Sequence, residues 1–344
     1  MTQVSPTNSK TASLADIAEL CGVTKATVSR VLNAKPGFSV RQELQEKIHK
    51  AANQLNYRPN GIARSLRSSK TPIVMVLGFH PHWMNSDGPT VYGQMVSTLT
   101  DCLAKTHTAC FMDLATDDDR SPEWSSLVPD AAIVVPPLTE LRYKKLTQDR
   151  IPFVLVNEVG PEDVSNVYTD DHQGTQKLVD HLHELGHRRI AYMNQTHFGP
   201  SFDYHSSLAK RMTGYVKAMD SYGLELIPGY DQPLDSKAFF NNAIVKHKAT
   251  AVIAYKSSYL KNLHELAKHI GMSVPEDLSL CGFDRQPPNL LDEFEYTVMD
   301  IPMKQMGQHA ARIIQEKLDN PNYHEQYLCH ENIMIHQSTG PSPG

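Results

Sequence analysis

At 344 residues the chain is long for one domain and suits a small head joined to a larger body. Its formal net charge of −5 is unevenly spread: residues 1–70 hold 11 Lys and Arg against 4 Asp and Glu, a net +7, which leaves −12 on the remainder, so a polyanion should meet the head and be repelled by the body. No apolar run approaches membrane-spanning length, and the five cysteines, Cys21, Cys102, Cys110, Cys281 and Cys329, show no CxxC pair or metal spacing, which sets aside a membrane protein and a disulfide or zinc scaffold and leaves reduced, mostly buried thiols.

Residues 1–12 read as a disordered polar tail without the apolar stretch of a signal peptide, so the chain is expected to stay in the cytoplasm. From Leu14 to Asn33 the pattern is two short helices joined by a tight turn. Ser13 is a candidate N-cap, and Leu14, Ile17, Ala18 and Cys21 fall at helical spacing on one face. Gly22 supplies the backbone freedom a helix exit needs, and Thr24 can cap the second helix through its hydroxyl. In that second helix Val28, Val31 and Leu32 make a buried stripe. Lys25, Ala26, Ser29, Arg30 and Asn33 are left on a polar, cationic face of the kind that reads the major groove. A helical hairpin within some all-α domain is the plainer alternative.

Ser39 followed by Gln42 reads as a capping box, and Val40, Leu44, Ile48, Ala51, Ala52 and Leu55 give the apolar stripe of a third helix. A Pro-Asn-Gly break precedes one possible short helix, Asn60 to Arg67, which at about eight residues is marginal alone in water and needs a partner to form. LADIAELCGVTKATVSRVLNAKPG followed by LNYRPNGIARSLR resembles, position for position, the headpiece and hinge of LacI/GalR-type transcription regulators. The resemblance implies a helix-turn-helix headpiece over 13–58 and a hinge helix and linker over 59–71. It puts Lys25 and Ala26 at the two positions that discriminate operators, and makes Leu66 a wedge into the minor groove at the operator centre. Arg30 lies a turn further on the same face and can donate to guanine, whereas Thr24, Thr27, Ser29 and Asn33 fit phosphate and register contacts. Asn60 and Arg64 complete the expected DNA-binding set.

After the hinge, short β-rich apolar runs alternate with helical patterns. Strands are predicted at 73–79, 109–114, 131–135 and 153–157, with helices near 90–105 and 138–149. A second set follows, with strands at 189–194, 250–255 and 278–283 and helices near 173–186, 206–222, 236–247 and 258–270. Continuous apolar runs indicate parallel strands covered on both faces, hence a doubly wound α/β sheet, and two sets of similar length imply two lobes with a small-molecule cleft between them. VYTDDHQGTQKLVDHLHELGHRRIAYMN, RMTGYVKAM, VPEDLSLCGFD and VMDIPMKQMGQHA resemble recurring segments of the same family's effector-binding body. That resemblance implies a periplasmic-binding-protein type I core over 72–337, with lobe one at 72–168 and 301–324 and lobe two at 169–300 and 325–337. TDDDRSPEWSSLVPD is shorter than the family's usual helix there, which leaves the second helix of lobe one open. Residues 338–344, STGPSPG, read as a flexible tail without the apolar heptads of a tetramerising segment, so a homodimer is expected.

HLHELGH groups His181, His183 and His187, but only the last two are one turn apart and no HExxH accompanies them, so surface histidines are expected rather than a metal site. The aspartates at 117–119 lack calcium-loop spacing and read as a solvated loop. There is no GxGxxG after a strand, no GxxxxGK[ST] and no GxSxG, so no dinucleotide, triphosphate or hydrolase chemistry is indicated and no cofactor is expected. In the body the family resemblance marks Arg211 as a ligand-binding arginine, and Asp284 falls at a strand end where a carboxylate can accept ligand hydroxyls. Trp83 can stack on a sugar face. Lys256 and Ser257 stand where the family usually has Asn-Asp, and Asn157 and Glu158 where it usually has an arginine. The chain therefore reads as a sequence-specific regulator of repressor type, not an enzyme, whose grip on double-stranded operator DNA is switched by a carbohydrate-like effector bound at Trp83, Arg211, Lys256, Ser257 and Asp284. Because the cleft has lost an acceptor and gained a cation, the expected effector is an acidic carbohydrate, such as a uronate, aldonate or sugar phosphate, whose negative group pairs with Lys256 and Arg211; a neutral sugar held by other residues stays open as the alternative. A carbohydrate-binding protein without DNA function is the alternative reading.

Overall fold

The computed structural model describes residues 14–32, 39–55, 73–78, 91–104, 106–112, 129–136, 138–194, 205–284 and 294–344. The chain divides into two compact units, Met1–Thr71 and Pro72–Gly344. In the first, α1 (Leu14–Cys21), α2 (Lys25–Leu32) and α3 (Gln42–Gln54) enclose a core of Ile17, Ala18, Cys21, Val28, Val31, Ile48, Ala51 and Ala52. Burying each of its larger aliphatic side chains contributes roughly 1.5–3 kcal/mol. Gly22 leaves α1 at a φ of +69°, and the hydroxyl of Thr24 accepts the N–H of Thr27 at 3.2 Å to cap α2. The expected capping box at α3 does not form: Gln42 is the first helical residue, and its side-chain amide donates forward to Glu46 at 3.1 Å instead of reaching back.

In the second unit, the first lobe is built from β1 (Ile73–Leu77), α4 (Val91–Leu103), β2 (Thr108–Met112), β3 (Ala131–Val134), α5 (Glu140–Gln148), β4 (Phe153–Val156) and β5 (Asn166–Thr169). The second follows with α6 (Asp171–Glu184), β6 (Ile190–Met193), α7 (Ser206–Ser221), α8 (Ser236–Phe240) continued by a π-helical turn Asn241–Lys246, β7 (Ala251–Ala254), α9 (Ser258–His269), β8 (Ser279–Phe283) and β9 (Thr297–Asp300). The chain then returns through α10 (Met303–Asp319) and β10 (Gln326–Cys329) to the first lobe, and ends with β11 (Asn332–Met334) in the second. One sheet has the order β10-β5-β4-β3-β1-β2, all parallel; the other has β11-β9-β8-β7-β6, with only β11 antiparallel to its neighbour.

Both faces of each sheet are covered, which is why the strands read as unbroken apolar runs. Val74 and Val76 point to the cluster built with Leu99, Met306 and Ile313, whereas Met75 and Leu77 point to the one with Leu146 and Val164. In the second lobe Val252 and Ala254 face α8 and α9, while Ala251 and Ile253 face α6 and α7. Two boundaries differ from the sequence expectation. β10 pairs in register with β5, so the last passage between lobes falls after Cys329 and not between 324 and 325. The segment from 338 onward is no flexible tail: the Ser338 hydroxyl donates to Leu280 O at 2.6 Å and accepts Thr297 N–H at 2.8 Å, and Ser342 N–H donates to Leu185 O at 2.8 Å. A Gly- and Pro-rich composition removes side chains but leaves the backbone groups that bind it to the sheet. The segment in question for the second helix of lobe one lies, except for its last residues, outside the described residues, as do residues 1–12 and the hinge. No described helix is long and apolar enough to cross a membrane.

Candidate functional site

Strand carboxyl ends and helix starts of both lobes converge where the chain passes between them, so the side chains at those ends face one another. From lobe one come Tyr92 on α4 and the pair Asn157-Glu158, which ends β4. Asn157 holds a φ of +63°, is 8 % exposed, and its amide donates to the Tyr92 hydroxyl at 2.9 Å. From lobe two comes His205, the N-cap of α7, whose Nδ1 accepts Ser207 N–H at 3.1 Å and whose Nε2 stands 3.2 Å from the Asn157 amide. Burial pushes the His205 imidazole below its usual range, against the pull of Glu158 and Asp171 and with Arg211 and Lys210.

One turn into α7, Arg211 is 3 % exposed. Its Nε donates to Asp171 at the start of α6 at 2.7 Å, its Nη1 donates to Tyr255 O at 2.7 Å, and its guanidinium lies 3.9 Å over the Phe283 ring. Burial works against that charge, but Asp171, Tyr255, Asp284 and Glu331 more than offset it, so the group stays cationic. The Tyr255 hydroxyl meets Ser207 Oγ at 2.7 Å, and burial pushes it up to about 12. Asp284 ends β8 with a φ of +73°; burial raises its carboxyl while Arg211 and Lys256 pull it back.

Lys256 is half-buried, with its ammonium 4.9 Å from the Tyr259 ring, and burial lowers its pKa against the pull of Asp284. Ser257, the N-cap of α9, is 8 % exposed, and its hydroxyl has no partner among the described residues. The structure thus brings Arg211, Lys256, Ser257 and Asp284 to one place; Trp83 lies outside the described residues. It adds Tyr92, Asp171, His205 and Tyr255, which sequence reasoning missed, and sets Asn157 and Glu158 opposite α7. Their one sequence signal was polar residues at strand-to-helix junctions, TDD before α6 and NE after β4.

In the head, Lys25, Ala26, Arg30 and Thr24 are exposed on α2 and Thr27 and Ser29 are half-buried, opposite the buried Val28 and Val31. Asn33, Asn60, Arg64 and Leu66 lie outside the described residues. The three histidines are structural. His187, expected at the surface, is fully buried and bonded to Thr250 at 2.9 Å and to Ser279 and Gly340 at 3.0 Å; His181 meets Thr339 at 3.0 Å, and His183 stacks on Tyr222 at 3.9 Å. No group of three or more His, Cys, Asp or Glu able to hold a metal occurs among the described residues.

Residues 13–60 match the family described as bacterial regulatory proteins, lacI family, and residues 179–339 match the periplasmic binding protein-like domain. The NTD biosynthesis operon regulator NtdR of Bacillus subtilis is 26 % identical over 338 residues, covering 94 % of this chain and 98 % of that protein. Among solved structures, the lac repressor dimer bound to operator and the anti-inducer ONPF superposes with a TM-score of 0.75 at 18 % identity, covering 96 % of this chain and 100 % of the other. The complex of the transcriptional regulator CelR with cellobiose gives 0.66 at 22 %, covering 95 % and 99 %. The chain thus carries a lacI-family helix-turn-helix head and a periplasmic-binding-protein-like body, and the relatives it aligns with are LacI/GalR-family transcription regulators.

Proposed function

We propose that this chain is a cytoplasmic regulator of repressor type that binds operator DNA as a homodimer through α2 and the hinge, and that a carbohydrate-like effector seated between the lobes switches that binding. The observation that carries the reading is the meeting of Tyr92 and Asn157 from one lobe with His205, Arg211 and Asp284 from the other, in a chain whose α2 presents Lys25 and Arg30 outward. The ligands of the two structural relatives, cellobiose in one and operator DNA in the other, support the same division of labour. In the hinge, Leu66 is the residue proposed to enter the minor groove, a step that costs a few kcal/mol and therefore needs two hinges docking together.

The effector is proposed to bind chiefly through hydroxyls. An acidic ligand called for Arg211 and Lys256 as two available cations, but Arg211 is already paired with Asp171, and the charge of Lys256 bears on Asp284. A balanced set of donors and acceptors suits a polyol.

Two measurements test this. In a gel shift with a pool of random duplexes, the full chain should select a sequence, and a chain beginning at Pro72 should bind none; no binding by either would establish a binding protein without DNA function, and equal binding by both would take DNA recognition away from the head. A thermal-shift panel of neutral sugars, sugar acids and sugar phosphates should show stabilisation by neutral sugars. Stabilisation confined to acids and abolished by Lys256→Ala would establish the acidic ligand instead.

A further inference from the structure

The last passage of the chain between lobes, from β10 to β11, buries a carboxyl group with no counter-charge of its own. Glu331 is 4 % exposed, while His330 before it is exposed. Its Oε2 fills the notch that Gly174 leaves on α6, where a side chain at 174 would stand, and the Phe283 ring closes the same notch. Among the described residues neither carboxyl oxygen has a hydrogen-bond partner of good geometry, and the Thr169 hydroxyl, at the first passage between lobes, offers only a weak one. Lys177 of α6 donates to the backbone carbonyl of Glu331 at 3.0 Å and not to its carboxylate. The other charges that reach the group are Asp171, Arg211 and Asp284, and Arg211 is already bonded to Asp171.

Ionising a carboxyl in such surroundings is costly: burial first, and then Asp171, push it up to about 7. Water is the partner it lacks, and water reaches it only if the packing of Gly174, Phe283 and Thr169 around the passage loosens. We propose that Glu331 is a proton-operated wedge in the hinge between the lobes: neutral, it lets them sit as they do here; ionised, it favours an arrangement with the hinge opened to water. Closure of the cleft then takes up one proton, so a proton acts as a second ligand of the core, whichever compound the cleft accepts.

Hydrogen exchange on the full chain, corrected for the intrinsic pH dependence of amide exchange, reads the hinge through peptides covering 166–176 and 326–334. Between about pH 6 and about pH 8 the wild-type protein should lose roughly tenfold of its protection in those peptides, because one unit above the midpoint the ionised form dominates by that factor. Peptides from α3 should show no change. Glu331→Gln, and Glu331→Met should the first fold poorly, should hold the low-pH protection at both values. Wild-type protection that ignores pH, or a loss that persists unchanged in both neutral variants, would overturn the proposal.

Discussion

Glu158 and Ser206 belong to different lobes, and the Ser206 N–H donates to the Glu158 carboxylate at 2.8 Å. Ser206 is the first residue of α7, so a charged side chain from lobe one sits on the positive end of a 16-residue helix of lobe two. Capping and dipole contacts of this kind contribute about 1–2 kcal/mol. Glu158→Ala should therefore loosen the closed arrangement by roughly five- to thirtyfold in population, read as faster exchange of the amides at 206–209 and a larger radius of gyration. Full protection of those amides in the variant would show that the bond does not hold the lobes.

The Arg211–Asp171 pair is buried at both ends, with side chains 4 % and 6 % exposed. Arg211→Met should cost roughly 3–5 kcal/mol in urea unfolding, because it strands the Asp171 carboxylate, and adding Asp171→Leu should recover part of that loss. A single variant within about 1 kcal/mol of wild type would mean that solvent reaches the pair.

In the head, Arg30 is exposed on the face of α2 opposite Val28 and Val31. Arg30→Ala should cost roughly 1–3 kcal/mol on the selected operator and little on random duplex. An equal loss on both would make it a phosphate contact.

His187 is held neutral in the folded core: burial lowers its pKa, with the Gly340 carbonyl pulling the other way. A histidine depressed in the folded state contributes stability above its unfolded value and loses it as pH falls through its folded one. The chain should therefore become less stable below about pH 6.5, and His187→Asn should reduce that slope. The slope should not vanish, because burial also lowers His181, His205 and His309. Glu331 acts with the opposite sign: its folded value is raised, so its contribution is lost as pH rises through about 7. Chemical denaturation from pH 5 to 8 should thus show a maximum between the two effects; a monotonic profile would contradict one of them.

What the sequence made legible was whatever its physics keeps local. Gly22, Thr24 and the Val28/Val31 stripe define the turn and α2 within a dozen residues, and burial on both faces writes β1, β3, β4, β6, β7 and β8 as continuous apolar runs. The short strands β5, β9, β10 and β11 were missed, because a three- or four-residue strand is set by its partner more than by its own pattern. The same reason misplaced the last passage between lobes. Arg211 and Asp284 could be named from their motifs, but not that Asp171, 40 positions away, already holds Arg211. Asn157 and Glu158 were noticed as substitutions and not as a bridge, since nothing near them in sequence records His205 and Ser206.

The two lobes are also assembled from pieces far apart in the chain. Lobe one needs α10 and β10 to complete a sheet begun at Ile73, and lobe two is stitched by the N–H groups of Gly340 and Ser342, which donate to the Ser279 hydroxyl and the Leu185 carbonyl. During synthesis, therefore, neither lobe reaches its final packing until the last residues have left the ribosome, whereas the core of the head is complete once Leu55 emerges. Each new molecule passes through an interval in which its DNA-reading helix is folded and the body that governs it is not. A ribosome that stops early leaves that interval open, and releases a head with nothing to answer to.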